Sequence, residues 1–308
     1  MGNEVSVFGA TGQQGGSVAW ALLNAGWQVR ALVRNPNSAG ALALRDAGVT
    51  LIKGEFADDL AMRRAIEGVH AVFSVQPSSG QGAVLGISDE EEESFGIAIA
   101  DLAAQSGVQH LVYSSTSAVS SGLTGMGHFD SKLHIEDHIR KLPINATILR
   151  PAAFMEMLLM PGFGLDRRQF NFFMRLDQPM QFIAVQDIGA IVAAVLADSA
   201  RFGGATFEIA SATATGADLQ ALFSQAAGRP IAYARFSDEV LAGNAFLRRL
   251  TELLDAGPLV GSADLPALRK LHPGLQTFES WLHGQGRKAF ENALGAAGTW
   301  AYGTANKG

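Results

Sequence analysis

The chain has 308 residues, 48% hydrophobic and 17% charged, with 35 glycines, 10 prolines, no cysteine and a net charge of −6. A chain of this size and composition folds as one large domain or two unequal lobes, and without cysteine it has no disulfide framework, thiolate nucleophile, Cys-ligated zinc, iron–sulfur cluster or thiol redox switch, so any redox chemistry is borrowed from a cofactor. The acidic balance, pI near 5.6, argues against a broad nucleic-acid face, and with no apolar run near ~20 residues and no basic leader before the first strand, a cytoplasmic protein without membrane contact is expected.

The first predicted strand runs from Val5 to Phe8 and leads directly into Gly9-Ala-Thr11-Gly12-Gln13-Gln14-Gly15-Gly16 and a helix over Ser17 to Asn24. Glycines here let the backbone turn tightly and approach a pyrophosphate, whose charge then rests on the free N–H groups of the helix N-terminus. The spacing is Gly-x-x-Gly-x-x-Gly, which points to the short-chain dehydrogenase type of nucleotide loop. The second strand, Gln28 to Val33, ends at Arg34. A ribose-binding acid is expected about 20 residues after the loop, but this segment has none and offers a guanidinium for a 2′-phosphate instead. NADP(H) is therefore expected in preference to NAD(H). Arg30 lies on the same strand parity and either assists or faces solvent.

Strands at Thr50 to Lys53, His70 to Val75, His110 to Ser114 and Ala146 to Leu149 alternate with helices at Ala39 to Ala47, Leu60 to Ile66, Phe95 to Gln105 and Ser131 to Lys141. This βα alternation predicts an α/β fold, a doubly wound parallel Rossmann sheet, with ligands bound beyond the carboxyl ends of its strands. The run Asp89 to Glu93 reads as a solvated helix start rather than a metal site, and no metal is expected. Beyond Arg150-Pro151, a Phe- and Met-rich stretch from Phe154 to Met180 reads as core or as the wall of a pocket for an aromatic ligand. Gln181 to Val185 reads as a strand, Asp187 as the N-cap of a helix through Leu196, and Thr206 to Ala210 as a strand returning to the main sheet. Ile231 to Arg235 is one more strand in an otherwise helical remainder, and Thr299 to Gly308 is expected to fray. The expected division is an NADP-binding Rossmann domain over 1–152, with 181–212 returning to its sheet, and a smaller, mostly helical, pocket-forming C-terminal lobe from 153–180 and 213–308.

Together, Val7-Phe-Gly-Ala-Thr-Gly-Gln-Gln-Gly-Gly-Ser-Val18, Val33-Arg-Asn-Pro36, Val112-Tyr-Ser-Ser115, His128-Phe-Asp-Ser-Lys132 and Leu149-Arg-Pro-Ala-Ala-Phe-Met-Glu156 resemble the NmrA-like proteins, atypical short-chain dehydrogenases/reductases. The resemblance implies a Rossmann domain with a small C-terminal lobe that binds NADP(H). It places the cofactor contacts on Thr11, Gly12, Gln13, Gln14, Gly15, Arg34, Glu55, Phe56, Val75, Gln76, Pro77, Lys132, Phe154, Met155, Glu156 and Met157, beside Gly9 of the turn. Some relatives carry further basic residues after the arginine; here Asn37 and Ser38 follow. Active short-chain reductases place a Tyr four residues before the Lys as proton donor, and here that position is His128. Lys132 can still hold the nicotinamide ribose, His128 is a substitute donor or a residue of the pocket rim, and Ser114 or Ser115 orients a substrate or caps the strand end.

Two functions follow. One is an NADP(H)-binding redox-cofactor sensor or regulator lacking the usual catalytic Tyr, in which NADPH and NADP⁺ favour different arrangements of the Phe154 to Met180 loop and so different protein partners. The alternative is an NADPH-dependent reductase of quinones or other aromatic, conjugated acceptors, which need little help from a protein acid. A second copy of the chain is a further candidate partner.

Overall fold

The computed structural model describes residues 3–80 and 86–295; the expected fraying of Thr299 to Gly308 lies outside the described residues. In chain order the elements are β1 (Glu4–Val7), α1 (Gln13–Asn24), β2 (Gln28–Val33), α2 (Ala39–Asp46), β3 (Thr50–Lys53), α3 (Asp59–Ile66), β4 (Ala71–Ser74), α4 (Asp89–Gln105), β5 (His110–Ser114), α5 (Gly127–Ile139) and β6 (Ala146–Pro151). Then come β7 (Ala153–Phe154), β8 (Gln169–Phe172), β9 (Met180–Ile183), α6 (Val185–Ala197), α7 (Ser199–Phe202), β10 (Thr206–Ile209), β11 (Ala212–Ala214), α8 (Gly216–Ala227) and β12 (Ala232–Arg235). Helices α9 (Asp238–Gly243), α10 (Ala245–Ala256), α11 (Leu265–Leu271), α12 (Phe278–His283) and α13 (Arg287–Gly295) complete the described chain.

The chain forms two compact units, one from Met1–Pro151 with Val185–Phe207 and one from Ala152–Ala184 with Glu208–Gly308. The first carries a seven-stranded sheet of order β10-β6-β5-β4-β1-β2-β3. This is the doubly wound Rossmann order, whose strand direction of travel reverses between β1 and β4 and leaves a crevice there. Strands β4 and β5 are buried at every residue, and Val5, Ser6 and Val7 of β1 are buried as well. Apolar runs with little alternation have this fate when helices cover both faces of a sheet. Helix α1 packs on α6 at backbone distance: a Cβ on Gly189 would lie 2.4 Å from the Ser17 carbonyl oxygen.

Several helices begin earlier than their apolar periodicity predicts. The acidic run is itself the first turn of α4, because Ser88 Oγ accepts the Glu91 N–H at 3.1 Å and Glu91 Oε2 accepts the Ser88 N–H at 2.9 Å, a reciprocal capping box. Helix α5 begins at Gly127 and so includes His128, and Asp187 sits within the first turn of α6 rather than capping it.

The second unit contains a three-stranded sheet of order β11-β9-β7 and a two-stranded sheet of β12 and β8. The expectation that all of 181–212 returns to the main sheet is corrected here. Only β10 does so, while β9 pairs antiparallel with β11, Phe182 facing Ala212, and parallel with β7. Apolar pattern marks β9 as buried but is the same for either sheet; the pairing partner is a tertiary choice.

The candidate functional site

The site builds on the turn between β1 and α1. Gly9 adopts φ +67°, and a Cβ there would lie 2.8 Å from Val75 Cγ1. A Cβ on Gly15 would lie 2.3 Å from the Gly9 carbonyl oxygen and 2.6 Å from that of Phe8, so the first turn of α1 sits directly on the backbone of the strand end. The Gly12 N–H is donated to Gly9 O at 2.8 Å, and the Gly16 N–H closes the first helical bond to Gly12 O at 2.9 Å. Gly12 is the N-cap and brings no capping side chain, and the first turn holds no acid. The N–H groups preceding that first bond therefore form a donor cluster at the positive end of the helix, with Thr11, Gly12 and Gln13 exposed around it. This cradle fits a pyrophosphate: a side chain at Gly15 would displace it, and the first turn of α1 carries no acid to compete for it.

On the β2 side of the turn, Arg34 is exposed and has no hydrogen bond or ion pair among the described residues. Arg30 neither assists it nor faces solvent. Its guanidinium pairs with Glu4 at 2.7 Å and donates to the carbonyls of Arg64 and Glu67 at 2.9 and 2.8 Å, closing the C-terminal end of α3. Glu55 is exposed, whereas the Phe56 ring packs between Phe8 and Phe95 at centroid distances of 6.0 and 5.4 Å.

On the other side, β4 and β5 bring Val75, Gln76, Pro77 and Ser114 to the same crevice. Gln76 is buried, donating Nε2–H to Ser74 Oγ at 2.8 Å. Ser114 donates its hydroxyl to Gln14 Oε1 at 2.7 Å, so the strand-end serine is tied to the glycine turn 100 residues away. Its neighbour Ser115 is committed elsewhere: it donates at 2.5 Å to Glu136, a buried carboxylate that also takes two hydrogen bonds from Arg150 and one from Arg140. The Tyr113 phenol cannot replace the missing tyrosine. It is buried with no hydrogen-bond partner among the described residues, and burial, then the charges of Glu92 and Glu136, push its pKa far up.

Lys132 is the centre of this side. Its ammonium donates to His128 O at 2.7 Å and to Ser78 Oγ at 3.4 Å, and forms an ion pair with Glu92 Oε1. Glu92 is fully buried, and its second oxygen accepts the backbone N–H and the hydroxyl of Ser79 at 2.8 and 2.9 Å. Reading Asp89 to Glu93 as a solvated helix start is thus correct for its outer residues and wrong for Glu92. The signal was present in the spacing: Glu92, Gly96, Ile99 and Ala103 form one buried stripe of α4. A helix that begins at Phe95, as its apolar periodicity predicts, leaves Glu92 outside this stripe. Gly96 and Gly127 permit the approach, since Cβ atoms there would fall within 2.4 Å of Ile135 Cδ1 and inside the Asp89 carboxylate.

His128 is half-buried, beside Phe129 at a centroid distance of 4.0 Å. Burial, then the neighbouring Lys132 charge, lower its pKa to about 4, against a smaller opposing effect of Asp130. At neutral pH it is an imidazole rather than an imidazolium, which removes the strong form of the proton-donor role expected for it.

In the second unit, Met155 is fully buried and offers no side-chain surface to a ligand, Met157 is exposed, and Glu156 accepts Trp281 Nε1–H at 3.2 Å. Of the two readings of the Phe- and Met-rich stretch, core or pocket wall, its phenylalanines from 163 to 173 follow the first. Phe170 has no exposed surface and packs edge-on against Phe223 at 4.9 Å, with Phe163, Phe172 and Phe173 also buried. Among the described residues no cluster of three His, Asp or Glu could hold a metal, and no helix is long and apolar enough to cross a membrane.

The model of the NmrA-like family matches residues 1–257. A (4-alkanoyl-5-oxo-2,5-dihydrofuran-3-yl)methyl phosphate reductase of Streptomyces griseus is 30% identical over 234 residues, covering 74% of this chain and 76% of the relative. Four fungal relatives are matched over only 41% to 48% of their own length. Among solved structures, the negative transcriptional regulator NmrA in complex with NADP superposes with a TM-score of 0.74 at 20% identity, covering 94% of this chain and 97% of that one. The triphenylmethane reductase of Citrobacter sp. complexed with NADP(H) gives 0.75 at 20% identity, covering 94% and 100%.

Proposed function

The chain belongs to the NmrA-like family, and from that premise we propose that it binds a nicotinamide dinucleotide, NADP(H) in preference to NAD(H), and acts as a redox-cofactor sensor or regulator that signals to a protein partner. The observation that carries this reading is an open phosphate cradle beside a crevice without a competent protein acid. The turn at Gly9, Gly12 and Gly15 and the uncapped N-terminus of α1 would hold the pyrophosphate, and Arg34, which has no partner among the described residues, would meet a 2′-phosphate at the end of β2. With the pyrophosphate over β1, the two halves of the dinucleotide extend to opposite sides of it, which brings the nicotinamide half over β4 and β5, toward Val75, Ser114 and Lys132. There, a proton donor of the usual kind is lacking: His128 is neutral at pH 7, Lys132 is already paired with Glu92, and Tyr113 is locked in its phenol form.

Calorimetry with NADPH, NADP⁺, NADH and NAD⁺ tests the reading. Tight phosphate-dependent binding that differs between the oxidised and reduced forms is expected, without consumption of NADPH on a panel of quinones, azo compounds and enones. Equal affinity for all four nucleotides would refute the sensor.

The second reading, an NADPH-dependent reductase, is supported by the Streptomyces griseus relative, which is named as a reductase and matched over most of its length. Bound nicotinamide would supply a hydride, and acceptors such as quinones stabilise the resulting charge themselves. Turnover on the same panel would favour this reading.

A further inference from the structure

We infer that Glu92 is a specificity-determining residue of the nicotinamide half-site: by cancelling the charge of Lys132, it sets how strongly the chain distinguishes oxidised from reduced nicotinamide dinucleotide. The inference rests on the nucleotide-binding reading above and concerns residues that lie within one unit.

Three observations carry it. Glu92 is a buried acid on the buried stripe of α4, and it is held from both ends, by Lys132 on one oxygen and by Ser79 on the other. Its two partners belong to the elements that flank the nicotinamide half of the crevice, α5 after β5 and the segment 75–80 after β4. The pair is nearly dry, with 15% of the Lys132 side chain and 1% of that of Glu92 exposed. In such surroundings a net charge is poorly screened and acts over several ångströms, so whether the pair sums to zero matters to any charged ring nearby.

The two redox forms of the cofactor differ in that ring. The oxidised pyridinium is a cation, and the reduced dihydropyridine is neutral. A bare ammonium in this half-site would repel the first and leave the second unaffected; a bare carboxylate would do the reverse. Glu92 and Lys132 together do neither, so recognition of the redox state is left to the shape and hydrogen bonding of the crevice. The position four residues before Lys132, where a phenol would be acidified by a free ammonium, holds His128 instead, and a neutralised lysine is consistent with a site in which that acidification is not used.

The test is a set of affinity ratios measured by calorimetry on the full chain. In Glu92→Gln, which keeps the shape and removes the anion, Kd for NADP⁺ relative to Kd for NADPH is expected to rise about tenfold, the scale of one unit charge acting through a protein-like dielectric. In Lys132→Met the ratio is expected to fall, and in the double variant, which is neutral again, to return to within about threefold of the wild type. Thermal unfolding establishes that each variant is folded; if Glu92→Gln is not, the Lys132→Met ratio and its return in the double variant decide. An unchanged ratio in the folded single variants overturns the inference. A wild-type chain that binds neither nucleotide overturns instead the functional reading beneath it.

Discussion

Replacing Gly15 with alanine adds a single methyl group at the tightest point of the nucleotide turn. That Cβ would lie 2.3 Å from Gly9 O, 2.4 Å from the Gly9 carbonyl carbon and 2.6 Å from Phe8 O, all backbone atoms with no rotamer to escape into. Ordinary van der Waals contact begins about 1 Å farther out, so α1 has to lift from β1 by roughly that distance. It cannot do so freely, because its other side rests on α6, where Ser17 backs directly onto Gly189. Overpacking of this kind costs about 1–3 kcal/mol; alanine's better helix propensity returns up to about 1 kcal/mol. At about 2–4 °C per kcal/mol for a unit of this size, a loss of several degrees in Tm is expected. NADPH affinity should fall more than stability does, since the displaced first turn carries the phosphate donors. Gly16→Ala is the internal control: its Cβ would sit 3.3 Å from Ala10 O, a strain of a few tenths of an ångström that helix propensity can offset. Circular-dichroism melts and calorimetry on both variants provide the comparison. If Gly15→Ala melts and binds NADPH like Gly16→Ala, the glycine is there for loop flexibility and the close-approach argument is wrong.

Arg34→Glu should weaken NADPH far more than NADH, because the exposed guanidinium has a 2′-phosphate as its proposed partner; equal loss of both nucleotides in calorimetry would contradict the cofactor preference. Glu136→Ala should destabilise the chain by about 3–5 kcal/mol by removing the buried carboxylate that takes two hydrogen bonds from the mostly buried Arg150, whereas Asp137→Ala, which removes only the exposed pair with Arg140, should cost under about 1 kcal/mol. Urea unfolding separates the two, and similar values would show that the Glu136 cluster is not a buried network. Stability should also fall with acidification. His110 and His128 have folded-state pKa values of about 4 against 6.5 in the unfolded chain, so the unfolded state takes up their protons first. The histidine contribution is complete above pH 6.5, is lost between 6.5 and 4, and amounts to at most about 3 kcal/mol for each residue. His128→Asn should flatten that slope relative to wild type in urea titrations at pH 7.5 and 4.5; an unchanged slope would mean that the imidazole is as hydrated folded as unfolded.

His110 shows how far such environments are set by neighbours distant in sequence. Thr147 Oγ1 donates its only proton to Phe202 O at 2.7 Å, so it must accept from His110 Nε2 at 2.8 Å, which leaves Nδ1 of the neutral ring deprotonated, buried and without a partner among the described residues. No local pattern around His110 indicates this.

Much of the fold was legible in the sequence because its signals are local. Strands β2, β3 and β5 have the predicted boundaries, since parallel-sheet strands between helices read as short β-branched runs wherever they later pair. The glycine turn was legible because a tight approach of helix to strand leaves no room for side chains at fixed offsets, and Arg34 because its place follows from the end of β2. What the tertiary structure decided is which groups meet across long separations. Ser114 meets Gln14, Ser115 meets Glu136, Lys132 meets Glu92, and the phenylalanines of 163–173 meet one another in the core of their unit rather than lining a pocket. Periodicity tells that one face of a helix is buried, but burial is common to a leucine in a core and a carboxylate beside an ammonium. The distinction lies in the partner, and the partner is supplied by another element only when the chain has folded.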